Sequence, residues 1–259
     1  MKHSQPYLGL FFFLLSFSFC ACSQGDNIER LNATVHYRKH LLGSSSVIVK
    51  ETRYGKDIPI QFVQLHHNEE TADKVTTSLA SQVGFDYLQI VNESKRFIEF
   101  KLGDKDYKFD PNRIFSKKGI IATLRSRSHY SDTAYQVISA FSTFLLDLLD
   151  HSKTIVSVHN NTDGAFSPAD YIKNNTGLVF QNPELDPDDF FITTDSIVFE
   201  KLKENNFNVV LEYSKDIEDD GSLSVYCGRN NIRYINIEAQ HGHAKEQEAM
   251  LRTLIQILQ

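Results

Sequence analysis

The residues best suited to chemistry lie in one short stretch, 64–71, whose sequence is Gln-Leu-His-His-Asn-Glu-Glu-Thr. The stretch ends an apolar run and opens a polar helix, so its side chains lie where a strand gives way to a helix. A histidine and a carboxylate three residues apart suit a metal site there, because a strand end is rigid and the loop beyond it is open to substrate. Two registers have this spacing, His66 with Glu69 and His67 with Glu70, and the stretch alone does not choose between them.

Two more candidates stand at the ends of predicted strands, His159 after the β-branched run 154–158 and Glu238 at the end of the run 234–238. A catalytic zinc ion needs three protein ligands and an open position for water, and two histidines with one glutamate are a recurrent ligand set. His66, Glu69 and His159 could supply that set. Glu238 could then act as the carboxylate that activates the water.

The order of these residues resembles the motif order of the zinc carboxypeptidase superfamily, which includes metallocarboxypeptidases and succinylglutamate desuccinylase-like hydrolases. The family carries His-x-x-Glu after a core strand, then Asp-x-Asn-Arg, a lone His at a strand end, a Gly-Ser pair and a strand ending in the catalytic Glu. The corresponding pieces are His66 to Glu69, Asp110 to Arg113, His159, Gly221-Ser222 and Glu238. The resemblance covers roughly residues 46–258 and implies a three-layer αβα fold.

The resemblance also implies a metal centre. Zn²⁺ would be bound by His66, Glu69 and His159, with the register of His66 preferred over that of His67. Glu238 would be the catalytic residue, taking a proton from water and passing it to the leaving group.

Around that centre the resemblance implies groups that hold the substrate and the ligands. Arg113, with Asn112, would bind a substrate carboxylate, for which a planar guanidinium is well shaped. Asp110 would orient a ligand imidazole through its second nitrogen. We expect His67 and His241 to support the ligands or to line the pocket.

Strands and helices alternate over most of the length, which predicts an α/β fold with a mixed, largely parallel central sheet. Strands are predicted at 47–49, 58–65, 87–91, 154–158, 207–213, 223–226 and 234–238, with a hairpin over 96–109. Helices are predicted at 71–83, 131–150, 195–205 and 244–258. The region 160–189 is predicted to be irregular.

The N-terminus is typical of an exported protein. A short apolar run after Lys2 fits the core of a signal peptide, and Ala21-Cys22 resembles a lipoprotein cleavage site. We therefore expect a signal peptide over 1–22 with lipidation at Cys22, a tether over 23–45 and a catalytic domain over 46–259. The expected location is the bacterial cell envelope, as a periplasmic or outer-membrane lipoprotein with membrane contact only through the lipid at Cys22, and the alternative is a secreted protein.

Together these features predict a zinc-dependent amide hydrolase that cleaves a peptide, such as a peptidoglycan stem peptide, near a carboxylate. Two alternatives remain: a deacylase of N-acyl amino acids, and a non-catalytic lipoprotein that binds a metal or a peptide. The net charge of −6 and the absence of a basic block argue against nucleic-acid binding. The expected partner is a peptide or acyl-amino-acid substrate.

Overall fold

The computed structural model describes residue 1 and residues 30–56, 58–213, 215 and 217–259. The predicted lipidation site at Cys22, and with it nearly all of the predicted signal peptide, lies outside the described residues. Among the described residues, no helix is both long enough and apolar enough to cross a membrane.

One mixed sheet organises the described part of the chain, with its nine strands in the order β1-β2-β4-β3-β7-β11-β9-β10-β8. The adjacent strands β4, β3, β7 and β11 are mutually parallel, and antiparallel pairs flank them. The strands are β1 Thr34–Leu42, β2 Ser45–Arg53, β3 Ile60–Gln64, β4 Asp86–Val91, β7 Thr154–Asn161, β8 Gly177–Phe180, β9 Phe190–Thr193, β10 Val209–Glu212 and β11 Tyr234–Gln240. A separate hairpin pairs β5 Ile98–Leu102 with β6 Lys105–Phe109, as the sequence predicts.

Helices cover both faces of the sheet, so the predicted three-layer αβα arrangement is confirmed. The helices are α1 Glu70–Val83, α2 Lys117–Arg127, α3 Asp132–Leu146, α4 Pro168–Asn174, α5 Ser196–Glu204, α6 Leu223–Arg229 and α7 Ala244–Leu258. Side chains of α2, α3 and α6 pack in one apolar cluster with Val63, while those of α1, α5 and α7 pack in another with Phe62. Since neighbouring strand residues point to opposite faces, a central strand must be apolar on both sides.

Two sequence predictions are wrong in this part of the molecule. The predicted tether 23–45 is not a tether from Thr34 onward, because the main chain of β1 pairs antiparallel with β2 along its whole length. The run 223–226 is not a strand but the start of α6. Its helix begins because Ser222 caps it, with the Ser222 hydroxyl accepting a hydrogen bond from the backbone N–H of Val225.

The region 160–189 is more ordered than predicted, since it contains α4 and β8. Helix α4 starts with a reciprocal capping box between Ser167 and Asp170, with Pro168 in the first turn. Strand β9 and helix α2 are also additional to the predicted elements. Of these segments, α4 and β9 contribute to the lining of the cleft described next, through Asp170, Tyr171 and Asn174 of α4 and Ile192 of β9.

Candidate active site

The predicted metal ligands come together where β3, β7 and β11 end. His66 follows β3, and Glu69 stands directly before the first residue of α1. His159 lies near the end of β7, and Glu238 is its Cα partner in the parallel pairing with β11. The side chains of His66, Glu69 and His159 are buried. Parallel strands therefore bring the His66–Glu69 pair, His159 and Glu238, from three separate parts of the sequence, to one edge of the sheet.

The three ligand side chains converge on one another, with Glu69 in contact through both of its carboxylate oxygens. Glu69 Oε1 lies 3.0 Å from His66 Nδ1, and Glu69 Oε2 lies 3.0 Å from His159 Nδ1. The two histidine Nδ1 atoms are 3.4 Å apart. Ligands of a tetrahedral zinc ion, at about 2.0–2.1 Å from the metal, lie about 3.3 Å from one another. The donor set therefore fits a zinc ion, and one carboxylate with two imidazoles is suitable chemistry for it.

Both imidazoles are fixed from behind by their other ring nitrogen. His66 Nε2 lies 2.8 Å from Asp110 Oδ1, and His159 Nε2 lies 2.9 Å from Ser157 Oγ. A carboxylate can only accept from His66 Nε2–H, which leaves the Nδ1 lone pair of neutral His66 directed at the converging donors. Asp110 is thus placed as the sequence predicts, behind a ligand imidazole.

The charges around these ligands shift the pKa values of His66 and Glu69. Burial disfavours the charged imidazolium of His66, but the negative charges of Glu69 and Asp110 outweigh burial and raise the pKa of His66. Burial also disfavours the Glu69 carboxylate, yet the two histidines hold the pKa of Glu69 well below its usual range. The cluster therefore favours an ionised Glu69, which is the form that binds a metal.

Glu238 faces the same site in an environment suited to proton transfer. Burial raises the pKa of Glu238 above its ordinary value, although His159 acts in the opposite direction. The side-chain amide of Asn236 donates a hydrogen bond of 2.9 Å to Glu238 Oε1 and so fixes one carboxylate oxygen. A carboxylate with a raised pKa is a better proton acceptor, which is the property that a general base needs.

Asn112 and Arg113 form one rim of the cleft, in a single 3-10 turn that Asp110 caps. Asn112 Oδ1 accepts the backbone N–H of Leu223, which ties this turn to the start of α6. Arg113 is 41% exposed and lies 3.4 Å from Asp220 Oδ2, so its guanidinium stands at the surface of the cleft with one carboxylate neighbour.

The glycine of the predicted Gly-Ser pair allows a close approach at this rim. Gly221 has φ +77°, and a Cβ there would lie 2.6 Å from Gly119 Cα and 2.7 Å from the carbonyl oxygen of Arg113. Its own carbonyl accepts the backbone N–H of Phe115 at 2.9 Å. Any side chain at this position would push the Arg113 turn away from α6.

The two remaining predicted residues differ in position. His67 does not line the pocket: its Nδ1 accepts the backbone N–H groups of Asn92, at 2.8 Å, and Ser94, at 2.9 Å. Its ring therefore holds the turn after β4, away from the ligands. His241 does line the cleft, in the turn after β11, where its backbone N–H bonds to Asn161.

One cleft residue was missed in the sequence. Arg96, just before the β5–β6 hairpin, donates from Nη1 to Glu69 Oε1 at 3.1 Å, and its Nε lies 3.8 Å from Asp110 Oδ2. Its side chain is 42% exposed, so the guanidinium touches the buried ligand on one side and faces the cleft on the other. A lone Arg in a polar loop gives no sequence signal of this kind, because the proximity arises from the fold.

These groups share one open cleft of about 990 Å³, which is large enough for a peptide-sized ligand. It contains the three candidate metal ligands, Glu238, Arg96 and Arg113, and it continues past them toward β10 and α4.

No protein-family model matches the sequence, and no curated protein matches it. Solved structures similar in architecture include an aspartoacylase family protein from Mesorhizobium loti, at 13% identity and TM-score 0.43, over 90% of this chain and 68% of that one. Murein-tripeptide amidase MpaA from Escherichia coli O157 is 8% identical, with TM-score 0.45 over 90% and 94% of the two chains. Thrombin activatable fibrinolysis inhibitor is 10% identical, with TM-score 0.47 over 89% and 69%.

Proposed function

We propose that this protein is a zinc-dependent amide hydrolase of the bacterial cell envelope that cleaves a peptide next to a free carboxylate. The observation that carries the proposal is the convergence of His66, Glu69 and His159 beside Glu238, in an open cleft. Structural zinc sites are closed by four protein ligands, whereas three ligands with access from a cleft are typical of catalytic ones.

In the proposed mechanism, His66, Glu69 and His159 would hold a zinc ion, which would act as a Lewis acid and would lower the pKa of a water molecule. Glu238 accepts a proton from the attacking water and delivers it to the leaving nitrogen. The hydrogen bond from Asn236 keeps the second oxygen of Glu238 oriented toward the cleft. Burial of Glu238 assists because it raises the pKa of the carboxyl toward the operating pH.

The two arginines would divide the remaining tasks. Arg113 would bind the substrate carboxylate, supported by Asn112. Arg96, which already touches the ligand Glu69, would stabilise the negative charge that develops on the scissile carbonyl oxygen, since its guanidinium carries a fixed positive charge at the cleft.

The proposed location and substrate follow from the predicted export signal and Cys22. A lipoprotein of the cell envelope has access to peptidoglycan stem peptides and to imported peptides. A deacylase of N-acyl amino acids would use the same zinc ligands and the same carboxylate anchor, so it is separated from a peptidase only by assay.

The first experiment is the zinc content of the purified protein beside His66→Ala and His159→Ala. We expect about one zinc per wild-type chain and a large loss in both variants. His67→Ala is the matched control, because His67 binds backbone N–H groups outside the cleft, and it should retain the metal. Equal and negligible zinc in all four proteins would refute the proposal.

The second experiment tests the base and the substrate. Glu238→Gln should bind zinc like the wild type but hydrolyse about 10²–10⁴-fold more slowly, because general-base catalysis contributes this much. Muropeptides and N-acyl amino acids assayed side by side distinguish the peptidase from the deacylase. Full activity in Glu238→Gln would remove Glu238 from the mechanism, and zinc binding without any hydrolysis would leave a metal-binding lipoprotein.

A further inference from the structure

A strained turn after β4 leads directly to Arg96, and its own residues do not favour its conformation. The turn runs from Asn92 to Lys95, and the Lys95 N–H bonds to the Asn92 carbonyl at 2.8 Å. Its two central residues, Glu93 and Ser94, both have positive φ, +48° and +56°. Glycine, asparagine and aspartate dominate these positions in such turns, whereas other side chains meet a steric cost there. The turn therefore depends on support from outside itself.

His67 supplies this support through one ring nitrogen. Its Nδ1 accepts the backbone N–H of Asn92 at 2.8 Å and that of Ser94 at 2.9 Å. The two donors stand on either side of Glu93, so a single acceptor fixes both halves of the turn. Without that acceptor, both N–H groups would lose this partner, and less would hold the left-handed conformation in place.

The side chain of Asn92 extends this support to the far side of Arg96. Its Nδ2 donates to the backbone carbonyl of Phe97 at 2.9 Å. The backbone of Arg96 therefore lies between two fixed points, the turn that His67 holds and the carbonyl that Asn92 holds. Hydrogen bonds on both sides leave this short segment little freedom to change its direction.

The guanidinium of Arg96 then returns to the candidate metal ligands. It donates from Nη1 to Glu69 Oε1 at 3.1 Å, and its Nε lies 3.8 Å from Asp110 Oδ2. A long side chain reaches such a position reproducibly only from a fixed backbone, and a misplacement of about 1 Å can cost about 100-fold in rate. His66 contacts Glu69 directly, whereas its neighbour His67 is connected to the same carboxylate through the turn and Arg96.

We propose that His67 is a positioning residue, which holds the turn 92–95 and thereby places the Arg96 guanidinium at the cleft. The inference rests on the proposed function for what Arg96 does in the reaction, but the placement of Arg96 can be tested without it. Two adjacent histidines then have separate tasks, His66 as a candidate metal ligand and His67 as the support for the arginine. Loss of the His67 ring should leave the metal site intact and release the guanidinium.

The first test follows Arg96 without any assay of activity. Phenylglyoxal modifies accessible arginines, and peptide mapping over time gives the rate at each one. In chelator-treated protein, Arg96 should react at least about threefold faster in His67→Ala than in the wild type, because release of even a weak ion pair frees the guanidinium more often. Arg125, exposed on α2, is the internal reference. Equal Arg96 rates in the two proteins would overturn the inference.

Three further variants sharpen this test. His67→Asn should keep the wild-type rate at Arg96, because its amide oxygen, bonded to Cγ as Nδ1 is, can accept both N–H groups. His151→Ala, in an exposed turn after α3, is the control and should also leave the rate unchanged. Asn92→Asp retains His67 but replaces the donor to the Phe97 carbonyl, and it should speed the reaction of Arg96. No change in Asn92→Asp would overturn the inference even if His67→Ala fails to fold.

A double-mutant cycle with Arg96→Ala tests the inference in the zinc-loaded protein. His67→Ala should lower kcat by up to about 100-fold with little change in KM, at unchanged zinc content. In the Arg96→Ala background, the same change should alter kcat by less than about twofold, because its effect acts through the missing arginine. Equal losses in both backgrounds would overturn the inference while the hydrolase stands. If the wild type hydrolyses no substrate, the proposed function fails, and the modification rates of Arg96 alone decide the inference.

Discussion

Replacing Asp110 by asparagine would test whether the group behind a ligand imidazole controls metal affinity. Asp110 Oδ1 lies 2.8 Å from His66 Nε2 and 2.9 Å from the backbone nitrogen of Asn112. An asparagine oxygen could accept both bonds, so the local shape is retained. The negative charge is lost, however, and an amide NH₂ in place of Oδ2 would face Arg96, whose Nε is 3.8 Å from that oxygen. The perturbation is therefore almost purely electrostatic.

The expected loss of metal affinity follows from the position of Asp110 behind a ligand histidine. A carboxylate bonded to the far nitrogen of a ligand histidine increases the basicity of the metal-binding nitrogen, and removing such a partner typically costs about 10–100-fold in metal affinity. That range equals about 1.4–2.7 kcal/mol.

The assay is a competition titration in which a chromogenic chelator and the protein share a limiting amount of zinc at fixed pH. Thermal unfolding gives an independent readout, because a tenfold weaker affinity lowers the stabilisation by excess zinc by about 1.4 kcal/mol. Asp104→Asn, in the exposed turn of the β5–β6 hairpin, is the matched control and should bind zinc like the wild type. If Asp110→Asn also binds zinc with wild-type affinity, the contact with His66 does not tune the metal and our reasoning is refuted.

Three further predictions concern the rim and the core. Asp220 pairs with Arg113 and would compete with a substrate carboxylate for its guanidinium. Because exposed ion pairs are worth about 0.2–1 kcal/mol, Asp220→Asn should lower the KM for a carboxylate substrate by up to about fivefold. An unchanged or higher KM would contradict this competition. Gly221→Ala should cost about 1–3 kcal/mol in urea unfolding, because its Cβ would lie 2.6 Å from a backbone carbon of α2. Gly164→Ala, also at positive φ but with open space, should cost less. Cys227 is buried, and burial raises the pKa of its thiol to about 12, so peptide mapping after alkylation at pH 8 should find it unmodified until the protein unfolds.

The elements that could be predicted well from the sequence are those with a clear pattern in their own residues, such as apolar residues at the helical spacing or a β-branched run. Helix α7 spans the predicted 244–258 because Met250, Leu251, Leu254, Ile255 and their neighbours repeat at the helical spacing. Strand β7 was predicted from its β-branched run, although it continues to Asn161, where buried asparagines replace the apolar residues. Polar residues at the end of a buried strand are easily predicted as a loop, yet here Asn160 and Asn161 belong to the strand and line the cleft.

Strand β1 shows the opposite case. Only Leu42 of its residues is buried, and exposed Val35, Tyr37 and Leu41 alternate with polar neighbours. Its strand conformation depends on hydrogen bonds to β2 rather than on burial of an apolar face, and such pairing leaves little trace in composition. The same limit applies to Arg96, whose importance lies in its contact with Glu69, 27 residues earlier in the chain.

The choice between the two histidine registers shows what only the fold could supply. Adjacent residues leaving a strand point to opposite sides, so His66 and His67 cannot both face the same cluster. Because both sides of β3 are buried, the sequence offered no apolar face to exclude. In the structure the two histidines differ in the contacts of their Nδ1 atoms. His67 Nδ1 accepts two backbone N–H groups of the turn after β4. His66 Nδ1 contacts the side chains of Glu69 and His159. A nitrogen that already accepts two N–H bonds has no lone pair left for a metal, whereas His66 Nδ1 accepts no backbone N–H among the described residues and faces Glu69 and His159.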